Sequence, residues 1–166
     1  MNNHELSWYY MSMPGTARPF WVAVKLLHSP DMNKFSIILI EKEISTTAEI
    51  VTAISEHLES FALTITKNIA EAIKETEPVQ VILLNAAQIA ANIPDKLAPL
   101  RSAHPQTPLI VLVSPTASAE KIALEALSHG VSDYVTVSPA GLVAMARRLA
   151  AMAQVQPGHQ PGLTPP

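Results

Sequence analysis

Polar residues follow directly on three apolar runs of this chain. Glu41-Lys42-Glu43 comes after FSIILI (35–40), Asn85 after VQVILL (79–84) and Ser114 after PLIVLV (108–113). A fourth run, DYVTV (133–137), ends at Val137, just before Ser138-Pro139. Parallel strands that end together gather such residues at one edge of a sheet, where α/β proteins place their chemistry. Carboxylates there could hold a hard cation, and a hydroxyl could bond an anionic oxygen. Other chemistries find no support. With no cysteine in 166 residues, disulfide frameworks, thiol nucleophiles and Cys-ligated zinc are excluded. The six histidines (4, 28, 57, 104, 129, 159) include no pair at helical three- or four-residue spacing, so no metal site is expected. Ser114-Pro115 lacks a Gly-x-Ser-x-Gly elbow, and neither a P-loop nor Gly-x-Gly-x-x-Gly occurs.

Strands must alternate with helices to bring these residues together, and the chain is patterned that way. FSIILI, VQVILL and PLIVLV are almost uniformly apolar, as strands buried on both faces should be. ALTIT (62–66) alternates and suits a sheet edge. From about Thr46, the residues Ile50, Val51, Ile54, Leu58 and Phe61 form a helical stripe. Short helices are expected over 68–75, capped by Asn68, and over about 94–102. Ser118 is expected to cap a helix that runs to His129 and is closed by Gly130. Ser138 and Pro139 open a last helix reaching about Ala153. The total is (βα)5, an α/β fold with a doubly wound five-stranded parallel sheet over 35–154. A charged fraction of 15%, below the usual level, agrees with elements covered on both faces.

The two ends differ from this middle. Residues 1–34 hold five of the eight aromatics, among them Trp8, Phe20 and Trp21, with no clear period. They read either as a loosely attached extension, with translation starting at Met32, or as a docking peptide anchored by those aromatics. Residues 155–166 carry four prolines and two glycines and read as a linker or tail, after which an output domain could follow. No apolar run is long enough to cross a bilayer. A net charge of −3, with Arg147-Arg148 as a small solvated patch, gives no nucleic-acid surface. A cytoplasmic domain without membrane insertion is expected.

From about Phe35 to Ala153 the chain resembles a response-regulator receiver domain, a flavodoxin-like fold. GVSDYVTVSP (130–139) is similar to that family's Gly-Ala-x-Asp-Tyr-x-x-Lys-Pro segment, and IILIEKE to its strand ending in an acidic pair. The resemblance implies a phosphoryl pocket built from two acids that hold Mg²⁺, an aspartate nucleophile, a hydroxyl and a lysine. Glu41 matches the first acid and Ser114 the hydroxyl. Lys42 replaces the metal-binding acid, Asn85 the nucleophile and Val137 the lysine. An amide is no carboxylate nucleophile, and an ammonium repels a divalent cation. A degenerate pseudo-receiver is therefore expected, with no catalytic residue and no cofactor. Lys42 either turns inward, pairing with Glu41 or Glu43 and donating to the Asn85 oxygen, or points to solvent. In the family the aromatic matched by Tyr134 reports on the pocket to a partner-binding face. Here that face is expected to include Leu124, Leu127, Leu142 and Met145, and its partner to be another signalling protein or a second copy. Two alternatives stay open: a receiver phosphorylated on another side chain, and a flavodoxin-like enzyme of unrecognised chemistry.

Overall fold

The computed structural model describes residues 9–11, 20–22 and 34–155. The chain divides into two units, Met1–Lys34 and Phe35–Pro166. In the first, β1 (Tyr9–Met11) and β2 (Phe20–Val22) pair antiparallel, with Tyr10 opposite Trp21. Three-residue strands are too short to show a period, so the pair left no trace in the sequence pattern. Trp8, Met32 and the proline-rich tail beyond residue 155 lie outside the described residues.

The second unit contains β3 (Phe35–Ile40), α1 (Ile44–Ser55), β4 (Phe61–Thr66), α2 (Ile69–Ala72) and β5 (Val81–Asn85). A 3-10 turn (Ala86–Gln88) leads on to α3 (Ile93–Ala103), β6 (Leu109–Val113), α4 (Ala117–Leu127), β7 (Asp133–Thr136) and α5 (Pro139–Gln154). All five strands are parallel, in the order β4-β3-β5-β6-β7. This is the doubly wound (βα)5 sheet expected from the sequence, with the 62–66 strand at an edge. The winding reverses between β3 and β5, which opens a crevice at their carboxyl ends.

Each sheet face has its own core. Ile50, Ala53 and Ile54 of α1 join Leu142, Met145, Ala146 and Leu149 of α5 over one face. The other is covered by α2, α3 and α4 through Ile69, Leu97, Leu100, Ala123 and Ala126. β6 is buried along its whole length, which is why PLIVLV shows no alternation. Burying one such aliphatic side chain contributes about 1.5–3 kcal/mol, so these strands anchor the fold.

Local chemistry sets the helix ends. Asn68, Asn92 and Ser138 accept backbone N–H groups of Glu71, Asp95 and Gly141 in the first turns they cap. For α4 the cap is Thr116, whose hydroxyl accepts from Ala119 N–H, and Ser118 lies inside the first turn. The stripe expected to run from Ile50 to Phe61 breaks as well. α1 ends at Ser55, Leu58 stays buried against the same cluster, and Phe61 begins β4. Gly130, at φ 89°, makes the left-handed turn after α4. Its carbonyl accepts from the Arg101 guanidinium, which also reaches the Thr107 carbonyl at 2.6 Å. Burial lowers the Arg101 pKa from its ordinary value. Gly141 is demanded by space, since a Cβ there would lie 2.0 Å from the Thr136 carbonyl oxygen.

Candidate functional site

The register Ile40 with Leu84 puts Glu41 beside Asn85, on the two strands that flank the crevice. Glu41 is buried, at 2% exposure. Its backbone N–H donates to the Thr66 carbonyl at 3.0 Å, which holds the residue in line with the sheet. One carboxylate oxygen, Oε1, accepts the Glu43 N–H at 2.9 Å. The other, Oε2, accepts the Asn85 side-chain N–H at 2.6 Å. Asn85 Oδ1 in turn accepts the Ala87 N–H at 2.8 Å and opens the 3-10 turn. The amide orientation follows from these partners, because a carboxylate needs a donor and a backbone N–H needs an acceptor. A buried carboxylate is costly unless hydrogen-bonded, and here two N–H groups satisfy it.

The other strand-end residues do not join this contact. Lys42 is exposed and makes no hydrogen bond or ion pair among the described residues. Of its two expected placements the outward one is found, and Asn85 supplies the donor that the inward one assigned to Lys42. Ser114 is exposed, with its carbonyl accepting the Thr116 N–H at 2.7 Å. Val137 is half-buried against the α1/α5 cluster, so it turns a methyl pair into the core where the resemblance places a lysine.

A divalent cation does not fit these residues. Hard cations want several anionic or carbonyl oxygens. This pocket offers one carboxylate with both oxygens engaged, a neutral amide and a neighbouring ammonium. Among the described residues, no three His, Asp or Glu side chains gather as a metal site would require.

The expected interaction face divides in two. Tyr134 packs half-buried against the α4 side, its hydroxyl donating to Glu120 at 3.4 Å. Leu124 and Leu127 are exposed on α4, at 52% and 38%. Leu142 and Met145 are not surface residues: at 5% and 0% exposure they lie in the cluster on the opposite sheet face. Their spacing with Ala146 and Leu149 is the buried stripe of α5, so the period that made them look like a surface patch turns them inward. Asp133 ties β7 to α5 by pairing with Arg148, and it accepts the Tyr134 N–H at 2.8 Å.

Two buried polar residues, one beside the crevice and one remote from it, were not singled out from sequence. Thr66 is buried beside Glu41, and its hydroxyl has no partner among the described residues. His104, also buried, places Nε2 3.2 Å from the Ala72 carbonyl oxygen at the far end of the sheet. An isolated Thr or His carries no pattern from which burial could be read.

No family model matches the chain, and no curated protein matches it in sequence. Solved structures do. A response regulator from Thermotoga maritima aligns with a TM-score of 0.57 at 16% identity, covering 73% of this chain and 98% of that one. A response regulator from Hahella chejuensis gives 0.57 at 18%, covering 73% and 93%. A putative pilus assembly protein from Burkholderia thailandensis gives 0.51 at 21%, covering 70% and 98%. The chain has the receiver-domain fold.

Proposed function

We propose that this chain is a pseudo-receiver, a signal-transduction domain of receiver fold that takes up no phosphoryl group and acts by binding another protein. The observation that carries this reading is the 2.6 Å hydrogen bond from the Asn85 amide to buried Glu41. Phosphoryl transfer to a receiver needs a carboxylate nucleophile beside a metal-binding carboxylate. An amide nitrogen has its lone pair delocalised into the carbonyl, and here its N–H occupies the oxygen that would face a cation. The bond satisfies the carboxylate oxygen from within the pocket, so the strand ends need neither metal nor phosphate as a hydrogen-bonding partner. Val137 and exposed Lys42 support the same reading, since neither offers a paired cation to a bound phosphate. Similarity to response regulators and to a putative pilus assembly protein favours a part in a multi-protein system. The binding surface would be the α4 side around Tyr134, Leu124 and Leu127, with the aromatics of residues 1–34 as a second contact.

Mass spectrometry after incubation with acetyl phosphate and Mg²⁺ tests the silent pocket. The expected result is no phosphoryl adduct. A stoichiometric, Mg²⁺-dependent adduct, on Ser114 or elsewhere, would make the chain a working receiver and overturn the reading.

A further inference from the structure

The two edges of the sheet are built differently. β7 is four residues long, starts at Asp133 in its ion pair with Arg148 and is followed by Pro139. Short length, charge and proline are the usual protection of an edge against pairing. β4 has none of these. FALTIT is six residues without charge, proline or glycine, and Ala62 and Ile65 are exposed.

The ladder shows which backbone groups of β4 face away from the sheet and have no partner among the described residues. Glu41 N–H donates to the Thr66 carbonyl in the parallel register Ile40 with Thr66. In such a ladder alternate residues face the neighbour, so Ala62, Thr64 and Thr66 turn their N–H and C=O groups toward β3. Phe61, Leu63 and Ile65 turn theirs outward. Their side chains share the sheet face of the α1/α5 cluster, against which Phe61 and Leu63 pack.

We propose that β4 pairs with β4 of a second copy of this chain, antiparallel about a two-fold axis at Leu63, joining two sheets into one of ten strands. In that register every outward group meets an outward group. Phe61 faces Ile65 of the other copy, Leu63 faces its own counterpart, and each facing pair exchanges two hydrogen bonds. The apolar side chains of these pairs line up on one face, the arrangement that stabilises neighbouring strands. Continued one step past each end of the strand, into the bends at 59–60 and 67–68, the same alternation brings Glu59 opposite Lys67 twice, once on each side of the axis. Both residues are exposed and neither has an ion pair among the described residues. A strand flanked by an acid on one side and a base on the other is complementary to itself only when antiparallel. An isologous contact of this kind closes at two copies. Its area is small, so the dimer is reversible, with a dissociation constant in the range of about 10–500 μM. The inference uses neither the silent pocket nor the α4 face, and so stands or falls separately from the reading above.

Sedimentation of the full chain across that concentration range is the test. A monomer–dimer equilibrium is expected. Ile65→Lys should weaken it by about tenfold or more, because a lysine then faces the Phe61 of the other copy. Glu59→Lys and Lys67→Glu should each weaken it, and the two together should restore it, with unchanged far-UV dichroism throughout. The charge exchange keeps the test open should Ile65→Lys fail to fold. A chain that stays monomeric to the top of the range, or a dimer indifferent to these changes, overturns the proposal. Association that answers to Ile65→Lys but not to the charge exchange overturns the two-fold register.

Discussion

At the scale of single residues, the strand ends are joined by a side-chain amide, Asn85, donating to the buried carboxylate of Glu41. Glu41 is buried and accepts two N–H groups, while Lys42, one residue on, is solvent-exposed and unpaired among the described residues. The two residues should therefore respond very differently to substitution. Lys42→Ala is expected to change unfolding free energy in urea by less than about 0.5 kcal/mol, as surface changes do. Asn85→Ala leaves a buried carboxylate one donor short and should cost about 1–3 kcal/mol. Equal effects at the two positions would show that Lys42 reaches the pocket after all. The residues that flank the crevice were legible in sequence because strand ends are marked by a change from apolar to polar. Which way Lys42 turns was not legible, since the same letters serve an inward or an outward lysine.

At the scale of elements, the buried strands declared themselves through uninterrupted apolar runs, and the caps at Asn68 and Ser138 through residue type. The errors share one cause. Leu58 and Phe61 continue the α1 stripe in sequence although the helix has ended, because loop and strand lean on the same cluster. Thr116 and Ser118 are equally good capping residues by type, and only the backbone path selects Thr116. α5 makes the sharper prediction. It approaches β7 so closely that a Cβ at Gly141 would sit 2.0 Å from the Thr136 carbonyl oxygen. Gly141→Ala should destabilise by about 3 kcal/mol, since backbone cannot yield as a flexible side chain would. Gly130→Ala, where a Cβ would meet only the Arg101 Nε at an ordinary 3.6 Å but φ is 89°, should cost about 1 kcal/mol. Thermal or urea unfolding of the pair checks the order, and a milder effect at Gly141 would mean that α5 can shift.

For the whole molecule, the described residues of both core clusters all lie from Phe35 onward. Deleting residues 1–31 is therefore expected to leave the melting temperature within about 4 °C, equivalent to less than about 1 kcal/mol. A larger fall would assign the aromatic N-terminal unit a share of the core. The fold class was legible at this scale because parallel strands covered on both faces leave a distinct low-charge, apolar composition. The assignment of Leu142 and Met145 to a surface was not. Periodicity identifies a stripe, but whether that stripe meets sheet or solvent depends on the layer above it.

The Glu41–Asn85 contact has a last implication. If the chain is the pseudo-receiver proposed above, a neutral amide bound to a carboxylate answers neither to the supply of magnesium nor to an upstream kinase, and the posture of these loops is settled when the polypeptide is made. On the reading proposed above, control would have to act through dosage, lifetime or occupancy by a companion molecule, and the cell would tune how many copies it keeps rather than what state each one is in.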